Sequence, residues 1–216
     1  MDLRPLALPA LEAAPLLLGA IVRSGEVAVR LTEVEAYHGQ GQDPGSHAHR
    51  GRTVRNSSMW GPPGTLYVYL SYGIHRCLNL ACGPKGYASG VLLRSGQVVD
   101  GLDLARERRR TSRVDDDLAR GPGRLGTALG IELSDDGRSI DSPPFSIHWP
   151  DSLEPAPRIL AGPRVGVSGD AGTDRFSWRF WLEGDPTVSP YRAAVSRRSK
   201  GVTPQGGTGG PGKLSR

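Results

Sequence analysis

The sequence predicts one mixed α+β domain in which strands and turns outweigh helices. Three observations predict it. Glycine and proline make up 30 and 18 of the 216 residues, and both favour turns over long helices. Stretches with an apolar period of two recur, chiefly over residues 26–37 and 65–81, and that period belongs to strands. The length suits a single compact domain with or without tails, large enough to bury a core without disulfides or metals.

Residues 8–22 read as an opening helix, rich in Ala and Leu and ending near Gly25. Residues 26–37, EVAVRLTEVEAY, read as a strand that places Val27, Val29, Leu31, Glu33, Glu35 and Tyr37 on one face. A polar loop of more than twenty residues follows; loops of that length are functional or disordered. TLYVYLSYGIHRCLNLA reads as a hairpin with Ser71, Tyr72 and Gly73 at its tip. ASGVLLRS is a further strand, and residues 98–109 look helical with a charged end, RERRR. GPGRLGTALGI, residues 121–131, opens a short helix on a Gly-Pro turn, and late strands are expected near 163–168 and 176–183. The domain is expected to span 1–195. Residues 196–216, basic and Gly-rich, read as a disordered tail.

The net charge is +5, and among the 27 basic residues only Lys85, Lys200 and Lys213 are lysines. Arginine pairs bidentately with phosphate, so a polyanion partner fits; a GC-rich genome would give the same composition. No run of eighteen apolar residues suggests a membrane span. The N-terminus lacks the basic start and the cleavage site of a signal peptide, so a cytoplasmic location is expected. Cys77 and Cys82 read as buried thiols, since C-x4-C without a second pair is poor zinc spacing.

Glu33 and Glu35 lie two apart on a strand that is otherwise apolar. They form either the solvated face of an edge strand or a general base in a semi-buried site; paired carboxylates also occur in glycoside hydrolases. Tyr37, Tyr67, Tyr69 and Tyr72 either fill a core or stack on bases. Tyr72, at a hairpin tip, fits a wedge better than a core residue. The loop S-H-A-H-R-G-R-T-V-R-N suits phosphate or base contact, whereas His47 and His49 without a third ligand make a weak metal site. No metal and no cofactor are expected. Phosphate-cradling, dinucleotide and serine-nucleophile motifs are missing.

Together these residues resemble the alkyladenine (3-methyladenine) DNA glycosylase family, the type named for the mammalian enzyme. The resemblance rests on TEVEAYHGQGQDPGSHAHRGRTVRNSSMWGPPGTLYVYLSYGIHRCLNLACG, then ASGVLLRS, GPGRLGTALGI, GPRVGVS and RFWLEGDPTVS, and covers most of residues 10–192. It implies a single domain around a curved antiparallel β-sheet with peripheral helices. It implies a monomeric base-excision repair enzyme acting on double-stranded DNA that contains damaged purines, alkylated or deaminated. By motif, Glu35 takes the role of the water-activating base and Arg94 that of its partner. Tyr37, His47 and Tyr69 would form the base pocket, and Asn79 would screen the base edge. Tyr72 would fill the gap left by the flipped nucleotide, and the Leu182 carbonyl would help position the water. The sequence departs from the family pattern at Val34, Val54, Trp60 and Arg76, of which Trp60 and Arg76 bear on the pocket or the DNA face. No lysine lies in the motifs, and a Schiff-base lyase needs an amine, so hydrolysis without strand cleavage is expected.

Overall fold

The computed structural model describes residues 2–150 and 157–194; the expected tail, 196–216, lies outside them. Eight antiparallel strands form one open sheet, mixed with three short α-helices among the described residues. The strands are β1 (Ile21–Ser24), β2 (Val27–Tyr37), β3 (Leu66–Ser71), β4 (His75–Ala81), β5 (Gly90–Asp100), β6 (Phe145–His148), β7 (Ile159–Gly162) and β8 (Arg179–Leu182). The helices are α1 (Ala10–Leu16), α2 (Leu102–Arg108) and α3 (Pro122–Leu129). The sheet runs β3-β4-β5-β2-β1-β6, and β8 pairs with β2 and with β7. No helix among the described residues is long and apolar enough to cross a membrane.

One face of the sheet carries the main core. Leu66 and Val68 of β3, Leu78 and Leu80 of β4, and Val91 and Leu93 of β5 pack there with Ala13 and Ala14 of α1 and Leu125 and Leu129 of α3. The alternate residues of the same strands, Tyr67, Tyr69, Cys77, Asn79, Leu92 and Arg94, line a cavity on the opposite face. Period-two alternation thus divides these strands between stability and chemistry.

Strand β2 departs from the expected single-face pattern. Val27, Val29 and Leu31 join the core, but beyond them the core residues are Val34 and Ala36. The register explains the switch. Leu31 pairs with Gly96 and Glu33 with Ser95, then Val34 with Leu93. Thr32 is therefore extra on β2 and Arg94 extra on β5, a pair of bulges that offset one another. An inserted residue re-aims every side chain after it, and it turns Glu33, Glu35 and Tyr37 away from the core.

Other elements shift for local reasons. The expected helix over 8–22 is only α1, preceded by a 3₁₀ turn at Arg4–Ala7. Gly19, at φ 85°, ends the helical segment, and the β-branched Ile21 and Val22 enter β1. The expected helix over 98–109 loses its start to β5 and begins only after Gly101. Residues 163–168 form no strand; β7 precedes them, and β6 was not expected. The helix after GPG is α3, with Pro122 at its start and Gly130 in the left-handed region after its end.

Gly96 pairs with Leu31 beside the bulge, packed tightly against β2. A Cβ on it would overlap the Arg30 carbonyl oxygen and Val29 Cγ1. Gly96→Ala should therefore lower Tm by about 5 °C or more, the scale of 1–3 kcal/mol of overpacking in a chain of this length. An unchanged melt would show that the strands do not need this close approach.

Candidate active site

The cavity encloses about 640 Å³, and Glu35 is the one carboxylate in its described lining. Glu33 and Glu35 are both fully buried, so the solvated edge-strand reading is excluded: at these residues β2 pairs with β5 on one side and β8 on the other. The two acids have different surroundings. Glu33 accepts five hydrogen bonds, from Arg94 Nε (2.8 Å), Arg179 Nε (2.6 Å), Ser95 Oγ (2.8 Å), and Ser189 N (2.8 Å) and Oγ (3.0 Å). Burial would raise its pKa, but the guanidinium charges of Arg94 and Arg179 and the bonds from Ser189 and Arg179 prevail and hold it at about 2. Glu33 is a fixed charge, occupied on all sides.

Glu35 is held more lightly and faces the cavity. Oε1 accepts the Val165 amide N–H at 2.7 Å and lies 3.2 Å from Arg94 Nη1; Oε2 accepts the Tyr37 hydroxyl at 2.8 Å. Burial, then the Glu35 charge, push the Tyr37 phenol well above its usual range, so it stays a proton donor to the carboxylate. A carboxylate of this kind, with an arginine beside it, can take a proton from an attacking water.

The rings surround this acid. Tyr67 and Tyr69 stack with centroids 5.5 Å apart, and His47 meets Tyr69 edge-on at 4.6 Å. His47 Nδ1 lies 2.8 Å from the Tyr67 hydroxyl, which commits one ring nitrogen within the pocket wall. Burial, helped by the charge of Arg55, lowers the His47 pKa and keeps the ring neutral. Asn79 lines the cavity and donates from Nδ2 to the Tyr67 carbonyl at 3.0 Å.

Behind Tyr37 lies Arg164, which has no exposed surface. Its guanidinium forks onto Asp43 at 2.6 and 2.7 Å and donates to the Ala36 and Ala171 carbonyls. It also packs on the Tyr37 ring at 4.5 Å and on Trp178 at 5.1 Å. Gly45 lies so close to this guanidinium that a Cβ would come within 2.7 Å of Nη2. One buried cation thus fixes the pocket ring, the loop before His47 and the loop that carries Val165.

Tyr72 stands at the tip between β3 and β4, 90% exposed, with φ at 51°. That left-handed conformation is unfavourable for a residue with a side chain; the hairpin closure, Ile74 N to Ser71 O at 3.1 Å, holds it there. The tip borders the cavity mouth.

Of the expected site residues, Glu35, Arg94, Tyr37, His47, Tyr69, Asn79 and Tyr72 all line this cavity. Leu182 does not. It is buried in the main core, paired with Ile159 of β7, and its carbonyl accepts the Asp185 amide. On β8 it shares the core face with Phe180, while Arg179 faces the charges. Val165, in GPRVGVS, supplies the backbone contact instead. Trp60 and Arg76 also stay out of the lining: Trp60 packs outside the rings beside Arg52, and Arg76 pairs with Glu132 at 2.8 Å.

Electron-rich rings above a single poised carboxylate suit water attack on a bond to an electron-poor base, which is the chemistry of enzymes that hydrolyse N-glycosyl bonds. Comparison with known proteins gives the particular group: the chain belongs to the methylpurine-DNA glycosylase (MPG) family, whose family model matches residues 5–186. A relative from Nocardia farcinica is 59% identical over 186 residues, 83% of this chain and 86% of its own. One from Leifsonia xyli is 53% identical over 190 residues, 84% and 88% of the two chains. One from Streptomyces avermitilis is 51% identical over 200 residues, 90% and 92%. All three carry the provisional name 3-methyladenine DNA glycosylase. The substrate of this chain is accordingly DNA.

The Glu33 charge gives the fold an acid dependence. Its carboxyl titrates near 4.5 when unfolded and about 2 when folded. The stability it contributes is complete above about pH 5 and is lost as pH falls toward the folded value. Glu33→Gln should lower Tm at neutral pH by about 10 °C, because buried Arg179 loses its counter-charge and Arg94 loses one of two. It should also flatten the decline of Tm between pH 5 and 2; a parallel decline in the variant would place the acid dependence elsewhere.

Proposed function

We propose that the protein is a base-excision repair enzyme. It flips alkylated purines, 3-methyladenine foremost, out of duplex DNA and hydrolyses the N-glycosidic bond without cutting the strand. The observation that carries this reading is Glu35, a buried carboxylate open to a ring-lined cavity and set 3.2 Å from Arg94. Alkylation at N3 or N7 makes a purine cationic and weakens its glycosidic bond, so the base leaves with little help. The tyrosine faces favour that cation. What remains is to direct a water at the sugar carbon and accept its proton, the role of Glu35 beside Arg94. Deaminated purines such as hypoxanthine are neutral and leave less readily, so they are slower substrates. The described lining holds no lysine, in keeping with hydrolysis alone, since a lyase needs an amine nucleophile. We also infer action as a monomer, in the cytoplasm and at the nucleoid, where the DNA of a bacterium like its relatives lies.

The direct test is base release from duplexes carrying 3-methyladenine, 7-methylguanine, ethenoadenine or hypoxanthine. Glu35→Gln keeps the size of the side chain and removes the proton acceptor. Excision should fall by about two orders of magnitude or more while lesion binding persists. Normal excision by this variant would overturn the assignment.

Tyr72 tests the flipping step. A ring that enters the duplex contributes on the order of 1–3 kcal/mol by stacking. Tyr72→Ala should melt like the wild type, since the ring is exposed, and should excise a paired lesion much more slowly than a bulged one. Equal losses in both contexts, with a lowered Tm, would make the ring structural.

A further inference from the structure

Ser189 lies beyond the stretch matched by the family model, yet it reaches the charges beside the active carboxylate. Residues 183–192 return across the sheet as an irregular segment. Asp185 pairs with Arg30 at 2.9 Å, Arg120 Nε donates to the Val188 carbonyl at 2.8 Å, and Gly166 N donates to the Arg192 carbonyl at 2.9 Å. Ser189 sits in the middle, 7% exposed, and uses every polar group it has. Its amide and hydroxyl donate to the two oxygens of Glu33, its carbonyl accepts Arg179 Nη2 at 2.8 Å, and its hydroxyl oxygen lies 3.3 Å from Arg94 Nη2.

The consequence falls on Arg94. Each of its three nitrogens meets one acceptor: Nε meets Glu33, Nη2 meets the Ser189 hydroxyl, and Nη1 approaches Glu35. A planar guanidinium held at two corners has its third corner fixed. We propose that Ser189 is a positioning residue for base excision. Directly, and through Glu33, it sets the plane of Arg94 so that Nη1 faces Glu35 and the water that Glu35 activates. Ser189 is not part of the cavity lining, and its hydrogen bonds go to Glu33, Arg94 and Arg179; it acts through Arg94. The proposal rests on the excision reading given above.

The hydroxyl is separable from the rest. Ser189→Ala removes the bonds to Glu33 Oε1 and Arg94 Nη2 and leaves the backbone contacts to Glu33 and Arg179 in place. Thr187 offers a control in the same segment. It is buried, and its hydroxyl bonds Thr32 at 2.8 Å and Asp185 at 2.7 Å, with no contact to Glu33 or Arg94.

The experiment measures single-turnover excision of 3-methyladenine from a duplex, lesion Kd and Tm for the wild type and for Ser189→Ala, Ser189→Thr, Thr187→Ala and Glu35→Gln. Ser189→Ala should excise about tenfold to a hundredfold more slowly, the range of one charge-assisted hydrogen bond to a group used in the reaction. Its Kd should stay within about twofold of the wild type. Ser189→Thr, which keeps the hydroxyl, should recover most of the rate. Thr187→Ala should lose stability without a matching loss of rate. Wild-type excision by Ser189→Ala, or rates in both alanine variants that simply follow their Tm, would overturn the positioning role. A wild type that does not excise would instead remove the excision reading, and a fully active Glu35→Gln the assignment of Glu35 as base, on both of which the role depends.

Discussion

The structure depends on the pairing of Glu33 with Arg94 and Arg179 inside the sheet. Three charges out of water are tolerable only when each meets an opposite charge and its remaining polar atoms are hydrogen-bonded. Glu33 meets that demand through five donors drawn from β5, β8 and the segment beyond β8. The paired bulges at Thr32 and Arg94 follow from the same need. Without them, the face that carries Val27, Val29 and Leu31 would push the two carboxylates into the apolar core. A buried ion pair gives little net stability compared with apolar residues that fill the same space. Its retention here makes sense in terms of the site, since Arg94 also reaches Glu35.

Arg164 is a second, independent anchor. It is neutralised by Asp43 and enclosed by the faces of Tyr37 and Trp178. Where the Glu33 cluster orders strands, Arg164 orders loops. It ties the long segment after β2 to the segment before β8, and both contribute to the cavity wall. The pocket therefore stands on two buried charge clusters, joined through Glu35 and Tyr37 and through the Gly166–Arg192 backbone bond. This accounts for a long, Gly-rich loop taking one shape with little regular structure beyond a 3₁₀ turn at Ser57–Trp60.

Much of this was legible in the sequence, and the rest was hidden for identifiable reasons. The hairpin around Tyr72, the loop of His47 and the acid at Glu35 carry strong local patterns: alternation, a turn glycine, a charge in an apolar strand. Bulges carry none, so the switch of face within β2 was invisible, and with it the contrast between Glu33 and Glu35. Leu182 was misplaced because the matched block gives chain position but not strand parity; the neighbouring block that holds Val165 reads as a strand in sequence and is an irregular loop in space. Ile21 and Val22 looked helical because an apolar run next to alanines has no clear period. The run RERRR reads only as a charged helix end, and much of its charge is answered within the chain, since Arg106 pairs with Asp115 and Arg109 with Asp117. Ser189 closes the block RFWLEGDPTVS, but nothing in that block marks it out, since its contacts to Arg94 and Glu33 reach residues more than ninety positions away.

The tip ring and the pocket ring share one piece of backbone. Tyr69 lies in β3 and Tyr72 directly follows its end, about 10 Å along the chain. β3 is hydrogen-bonded along its length to β4, and Tyr72 is already in its outward conformation. The distance between them is thus a built-in ruler, fixed when the chain folds and not adjusted afterwards. On the flipping reading proposed above, a helix of DNA meeting this surface would encounter a rigid gauge, and the deformation would fall on the nucleic acid. Sites where base pairs open easily would then yield first, and a well-stacked, well-paired stretch would resist, whatever the chemistry of its bases.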